Sequence, residues 1–333
     1  MADIARRTGV SLSTVSYALS GKRTISEPTR RRVLEAMAEL DFQPHALGRA
    51  LASKRTKTVA LLFPALAKGL SETRLEFVTN AAETAGEHGY SLLLSTSPAD
   101  DAEVVRLVRG GLVDGLILME IKLRDSRVEV LRASGYPFVL IGHCQRNDGI
   151  SFVDLDFDHA VGLAVRHLAA LGHRRIGFIN ASAPLYEAGY GPAVRSLAGF
   201  RRAVAEGITG HAHACEPTHE AGYMLTQELL TAHPDLTALV TINREALGGI
   251  VQAAHDGQRR IPDDLSLVAV VSERLARLFT PALTTIDFPD ATMGRMGAEL
   301  LVRQLEGGAA EPTHCLLRAE LSVRGSTGPP RDG

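Results

Sequence analysis

Hydroxyl-bearing side chains crowd the stretch from Ser11 to Tyr17: Ser11, Ser13, Thr14, Ser16 and Tyr17, with Leu12 among them. At the start of a helix such groups can meet phosphate oxygens and base edges in a DNA groove. Lys22 and Arg23 follow in a loop and add charge suited to a phosphate backbone. A second set of candidates is spread through the later chain: Glu120, His143, Asn243, Ser272 and Glu273 each fall just past an apolar run. Ligands of open parallel sheets sit beyond the carboxyl ends of the strands, so these residues are placed to touch a small molecule.

The first set needs a helix that holds it outward. Asp3–Thr8 forms a helical turn and a half, Gly9-Val10-Ser11 breaks it, and Leu12–Leu19 resumes the pattern. Gly9 can take the positive φ that ends the first helix, and Ser11 can cap the second. Ile4, Ala5, Val10, Val15 and Leu19 fall where short helices share a small core. Ser26-Glu27-Pro28 starts a third helix, Glu27–Leu40, with Val33, Met37 and Leu40 facing inward. The arrangement is a helix-turn-helix whose second helix enters the major groove; taken alone, it also fits an ordinary helical hairpin.

The motifs that follow narrow the choice. Gly9-Val10-Ser11, Ser13-Thr14-Val15-Ser16, Thr29-Arg30-Arg31-Arg32-Val33, Ala36-Met37-Ala38-Glu39-Leu40 and Arg49-Ala50-Leu51-Ala52 resemble, in order, the signature of the lactose-repressor (LacI/GalR) family of bacterial transcription regulators. The resemblance implies a DNA-contacting set of Ser11, Leu12, Ser13, Thr14, Ser16, Tyr17, Lys22, Arg23, His45, Gly48, Leu51 and Ala52. It implies that Leu51 is a wedge in the minor groove, whose unstacking cost is repaid by the bend it permits. Tyr17 stands where many members have a base-reading Arg, and a phenol cannot make the bidentate guanine contact. Gly48 stands where Ala is usual and raises the cost of ordering the segment by roughly 0.5–1 kcal/mol. Only Met1-Ala2 precede Asp3, where members have a capping Thr a few residues upstream, so either the start lies further upstream or that contact is missing.

Charge divides along the same line. Residues 1–57 carry 11 Lys/Arg against 5 Asp/Glu, a balance of +6, and the rest carry 25 against 33, a balance of −8. A basic front on an acidic body fits a nucleic-acid reader attached to a second module. Cys144, Cys215 and Cys315 are scattered and odd in number, which favours a reducing compartment over a disulfide framework. No stretch approaches the roughly 18 apolar residues of a membrane span. No signal peptide opens the chain, so a cytoplasmic location is expected and a transporter's solute-binding protein is disfavoured.

From Thr58 short apolar runs alternate with helical ones. Strands are expected at Val59–Phe63, Ser91–Leu94, Gly115–Met119, Phe138–Ile141, Phe152–Leu155, Ile176–Ile179, Ala238–Ile242 and Leu267–Val271. Helices fit between them, as at Glu72–His88, Ala102–Arg109, His159–Leu171, Val194–Glu206, Ala221–His233 and Glu245–His255. Continuous apolar strands separated by amphipathic helices mean parallel sheets covered on both faces. Crossings between two lobes are expected at Asp156–Asp158, near Ile286–Asp290 and near Glu311–Thr313.

The fold class is therefore an all-α helix-turn-helix headpiece plus an α/β periplasmic-binding-protein-like core of two doubly wound parallel-sheet lobes. The expected domains are the headpiece at 1–44, a hinge helix or linker at 45–57 and a core at 58–325. Within the core, one lobe takes about 58–157 and 288–312, and the other about 158–287 and 313–325. The composition of Ser326–Gly333 reads as a disordered tail.

Gly172-His173-Arg174-Arg175-Ile176-Gly177, Ala198-Gly199-Phe200 and Ile261-Pro262-Asp263-Asp264-Leu265-Ser266 extend the resemblance through the core. By it the effector-binding set is Glu120, His143, Ser196, Asn243, Ser272 and Phe288. Three family positions that grip sugars have changed. The usual Arg is Ser196, the usual Asp is Ser272, and a common Gln is Phe288. Arg195, one place earlier on the helix, is expected to point elsewhere. An Asp-Arg pair is replaced by Gly142-His143, and the Asp after Asn243 is Arg244. Unpaired buried polar groups cost about 1–3 kcal/mol each, so a cleft stripped of partners points to an effector less hydroxyl-rich than a simple hexose, or to an atypical sugar held by other groups. His143 beside Cys144 does not make a metal site, because adjacent residues cannot supply a tetrahedral set. His167 and His173, around a helix end, read as capping or surface groups.

Enzyme signatures are missing from the sequence. No Gly-x-Gly-x-x-Gly or Gly-x-x-x-x-Gly-Lys-Ser/Thr loop follows a strand, and Gly189-Tyr190-Gly191 lacks the third glycine. No Gly-x-Ser-x-Gly elbow or zinc spacing occurs. No catalytic residue, cofactor or metal is assigned. The resemblance implies instead a homodimer on a near-palindromic operator in double-stranded DNA, controlled by a small-molecule effector between the lobes, with no membrane partner. Alternatives kept open are an effector-independent or corepressor-dependent regulator of the same fold, or a cytoplasmic small-molecule-binding protein.

Overall fold

A computed structural model of the chain describes residues 2–20, 25–40, 55–63, 72–95, 100–204, 207–307 and 311–331. Its first elements are α1 (Ala2–Thr8), α2 (Leu12–Ser20) and α3 (Glu27–Glu39). Gly9 has φ +69°, which turns the chain between the first two. Ile4, Val15, Ala18, Val33 and Ala36 form their buried core, with Ala5, Val10, Ile25 and Met37 packed against it. Arg7 Nη2 reaches Glu39 Oε2 at 3.0 Å and ties α1 to α3. Leu40, expected inside, is 45% exposed. It lies one residue past the end of α3, where the helical spacing that placed it inward no longer holds.

The core begins with β1 (Thr58–Leu62), α4 (Glu72–Glu87), β2 (Ser91–Ser95), α5 (Asp101–Arg109), β3 (Gly115–Leu118), α6 (Ser126–Ser134), β4 (Phe138–Ile141) and β5 (Ser151–Leu155). It continues with α7 (Phe157–Ala170), β6 (Arg175–Asn180), α8 (Ala183–Glu187), α9 (Gly191–Ala203), β7 (Thr209–Ala214), α10 (His219–Ala232), β8 (Ala238–Thr241), α11 (Leu247–Asp256), β9 (Ser266–Val271), α12 (Glu273–Ala276) and β10 (Thr284–Asp287). The last elements are α13 (Asp290–Gly307), β11 (His314–Leu317) and β12 (Leu321–Ser322). Helix starts follow a local rule: Asp100, Asp125, Asp156 and Thr218 each accept an amide of the first turn.

Two six-stranded sheets result, ordered β11-β5-β4-β3-β1-β2 and β12-β10-β9-β8-β6-β7. The first is parallel throughout, and in the second only the β10–β12 pair is antiparallel. β3, β4, β8 and β9 are buried at every residue, because helices cover both faces. One apolar cluster runs through both sheets by way of Phe157 and Phe288, which lie at the first two crossings.

Two expectations about chain course are corrected. β11 pairs with β5, Cys315 opposite Val153, so residues 314–317 complete the first sheet and the third crossing falls at 318–320 rather than 311–313. β11 alternates exposed and half-buried residues at a sheet edge, so it lacks the apolar run that marks a central strand. The tail is the second correction, because residues 326–331 are docked. Ser326 is fully buried, its Oγ accepting from Thr284 N at 2.7 Å and donating to Leu267 O at 2.6 Å. His173, 1% exposed, is a buried connector rather than a surface group. Its Nδ1 is 2.9 Å from Thr237 Oγ1, and its Nε2 is 2.9 Å from Gly328 O and 3.0 Å from Ser266 Oγ. His167 Nε2 meets Thr327 Oγ1 at 3.1 Å. Polar composition predicted disorder, but these hydrogen bonds pair the tail's polar groups with the first residues of β9 and β10 and with His167 and His173.

Candidate functional site

The headpiece presents its hydroxyls through a capping network. Ser11 Oγ accepts from Thr14 N at 3.1 Å and lies 2.8 Å from both Ser13 Oγ and Thr14 Oγ1. This fixes the start of α2 and leaves Ser11, Leu12 and Ser13 exposed, Leu12 at 54%. Thr14 and Tyr17 are half-buried. An exposed leucine beside exposed hydroxyls on the second helix of the motif fits a surface that meets bases and the thymine methyl group. Lys22, Arg23, His45, Gly48, Leu51 and Ala52 lie outside the described residues, as do the Ser16 side chain and most of the expected hinge.

Between the two sheets lies a cavity of about 180 Å³, walled by both lobes. An apolar cavity of about 150 Å³ holds a benzene-sized molecule, so this one suits a single ring. Its apolar wall is a chain of aromatic rings. Phe63 and Phe77 stand 6.2 Å apart, Phe77 and Phe288 5.9 Å, and Phe288 and Phe157 6.0 Å. Its polar wall carries Glu120, Asp154, Ser182, Tyr190, Asn243, Arg244 and Glu245. Glu120 sits at φ +55°, a conformation that turns the chain just after β3. Burial, followed by the Glu120 carboxylate, pushes the Tyr190 phenol well above its ordinary range, so it is a neutral donor.

Three of the six residues expected to bind effector line this cavity: Glu120, Asn243 and Phe288. Asn243 has its amide committed elsewhere. Nδ2 donates to Cys215 O at 2.8 Å, and Oδ1 accepts from Ala246 N at 3.3 Å, which ties the ends of β7 and β8 together. The other three are not on the wall. His143 stacks on Phe152 at 4.9 Å and pairs through Nδ1 with Asp154 Oδ2 at 2.8 Å. Ser196 is fully buried, and its Oγ lacks a hydrogen-bond partner among the described residues. Ser272 precedes α12 and lines a separate depression with Glu76, Asp287 and Asp290.

Sequence reasoning did not name Asp154, Tyr190 or Arg195 as site residues. A lone acid in the apolar run Phe152-Val153-Asp154-Leu155 was the available signal for Asp154. Arg195, expected to point elsewhere, instead reaches the first lobe, where Nη2 donates to His143 O at 2.8 Å. Cys144 and Cys215 are buried, and burial pushes each thiol up to about 11, which removes them as nucleophiles. Among the described residues no helix is long and apolar enough to cross a membrane.

Comparison with known proteins agrees with this geometry. Residues 1–45 match the model of bacterial regulatory proteins of the lacI family, and residues 165–327 match a periplasmic binding protein-like domain. The HTH-type transcriptional regulator AglR of Rhizobium meliloti (strain 1021) is 33% identical over 99% of this chain and 94% of its own. A transcriptional regulator CelR–cellobiose complex superposes with a TM-score of 0.71 at 26% identity, over 97% of this chain and 98% of that one. The lac repressor dimer bound to operator and the anti-inducer ONPF has the same fold, with a TM-score of 0.81 at 24% identity and 98% of each chain covered. With a relative this similar along nearly its whole length, a helix-turn-helix headpiece and a two-lobed core, the chain belongs to the lacI family of bacterial transcription regulators.

Proposed function

We propose that the protein is a homodimeric repressor of a metabolic operon that binds a near-palindromic operator and answers to a small molecule held between its lobes. One observation carries this reading: the cavity takes its walls from both lobes, with Glu120 and Asp154 on one and Asn243 and Arg244 on the other. A ligand touching both walls binds one lobe arrangement better than another, and it shifts DNA affinity by that difference, typically about 1–3 kcal/mol. Ser11, Leu12, Ser13, Thr14, Ser16 and Tyr17 are the proposed groove contacts, and Glu120, Asp154, Tyr190 and Arg244 the proposed effector contacts. A wall rich in phenylalanine, on which Asn243 and Asp154 are already hydrogen-bonded within the protein, favours a ring with few hydroxyls over a plain hexose. The protein works by binding, not catalysis, and in the cytoplasm where its DNA is.

Selection of duplexes from a random pool by the full-length protein tests the reading. Recovery of a near-palindrome, whose affinity then changes with a member of a metabolite panel, supports it. Equal retention of all duplexes, with and without metabolites, overturns it.

A further inference from the structure

The lobes also meet away from their crossings: Leu123 N donates to Gly189 O at 2.7 Å, Gly191 N donates to Ile121 O at 3.0 Å, and Arg274 Nη1 stands 3.6 Å from Glu76 Oε1, while Arg195 reaches furthest across. Arg195 projects from α9 of the second lobe, and its Nη2 donates to His143 O at 2.8 Å and Cys144 O at 3.3 Å, both on the first lobe after β4. Its Nη1 stands 3.8 Å from Asp154 Oδ2 on β5. Asp154 is held in turn, Oδ2 by His143 Nδ1 at 2.8 Å and Oδ1 by Leu155 N at 2.8 Å. The side chains of Arg195 and His143 are 17% exposed, and that of Asp154 is 2%. Gly191 makes the path possible, because a Cβ there would stand 2.4 Å from Arg195 Nη1.

We infer that Arg195 is a built-in clasp that holds the lobes together without an effector, its charge set beside Asp154 on the cavity wall. The guanidinium's Nη2 serves both carbonyls while its charge stands beside Asp154, and Nη1 has no hydrogen-bond partner among the described residues. Its hydrogen bonds go to main-chain oxygens of the opposite lobe, so they exist only while the lobes are together. Opening gives up those hydrogen bonds and parts the Arg195 charge from its counter-ion. The closed arrangement is therefore populated before any ligand arrives, and a ligand presenting an N–H or O–H donor finds Asp154 already oriented. The clasp goes beyond the regulatory reading, because lobe closure in the effector-free chain depends on neither the operator nor the effector.

Hydrogen exchange and small-angle scattering on full-length, effector-free protein test it in Arg195→Ala, Arg195→Lys and Gly191→Ala. In both alanine variants, amides of 142–147 and 190–195 are expected to exchange about tenfold faster, with β8 and β9 unchanged. The radius of gyration rises with them, and Arg195→Lys falls between. Gly191→Ala sets a Cβ against both the guanidinium and Ile121 O, so it loosens the whole seam, and Arg195→Ala is the variant that isolates the clasp. If the cleft amides of Arg195→Ala stay within about twofold of the parent's, or if β8 and β9 accelerate equally with them, the clasp is overturned.

Discussion

The guanidinium of Arg244 lies over the ring of Phe288, its Cζ 4.9 Å from the ring centroid. Arg244 follows β8 and Phe288 occupies the second crossing, so the contact seats the crossing against the strand ends of the second lobe. A partly desolvated cation–π contact is worth about 0.5–2 kcal/mol. Phe288→Leu keeps an apolar filling but removes the ring face, and thermal unfolding is expected to fall by that amount. An unchanged melting temperature would show that the contact contributes nothing to stability.

Asp290 opens α13 beside the same crossing, 6% exposed, with Oδ2 unpartnered among the described residues. Burial pushes its carboxyl up to about 6, against the lowering effects of the Ala291 amide and Arg244; Glu76 raises it further. The native state therefore holds this proton more tightly than the unfolded chain does. Its stabilising contribution is full at low pH and is lost as pH rises through about 6. Asp290→Asn should stabilise the protein by about 1–3 kcal/mol at pH 8 and by little at pH 4, where the parent is protonated as well. Melting temperatures at the two values check it, and a gain of equal size at both would contradict the titration.

Ser11 caps α2 through a single amide, so Ser11→Ala removes the acceptor for Thr14 N. Loss of an N-cap costs about 1 kcal/mol, enough to loosen a headpiece with so small a core. Amide exchange across 12–20 should quicken by about fivefold while exchange in the lobes stays put. Selection among operator variants should weaken with it. Unchanged exchange in α2 would remove the cap from the account.

The docked tail makes a pH-dependent prediction of opposite sign. Burial lowers the pKa of His173 and of His167, both of which hydrogen-bond tail residues. The unfolded chain then binds the extra protons, so docking is fully stabilising above the ordinary histidine value near 6.5 and weakens as pH falls. A chain ending at Gly325 should melt below the full chain at pH 7.5, and the gap should narrow at pH 5. A gap that widens on acidification would reverse the argument.

The eight strands read from apolar runs are all present; β2 is an apolar but largely exposed edge strand, while the central ones are apolar because helices cover both faces. β7 and β11 escaped notice for the converse reason: Thr209-Gly210-His211-Ala212-His213-Ala214 lies at a sheet edge and is exposed at every other residue or more. Helices were legible by their apolar spacing, but those capped by Asp156 and Thr218 begin two residues earlier than expected, at Phe157 and His219. The cavity was legible only in part. Strand ends gave Glu120 and Asn243, but Asn243 spends its amide on main-chain carbonyls, a pairing no spacing rule reveals. Arg195 was misjudged because helical spacing gives the direction of a Cβ and not the reach of a long side chain past a glycine.

The first sheet takes its outer strand from residues 314–317, far from the rest of it in the chain. On the ribosome that lobe stays a strand short until nearly the whole polypeptide has emerged, whereas α1–α3 are contiguous and complete at the outset. A message truncated late in its reading frame would therefore yield a finished DNA-contacting unit on an unfinished sensor, a product that could compete for the operator yet be deaf to metabolism.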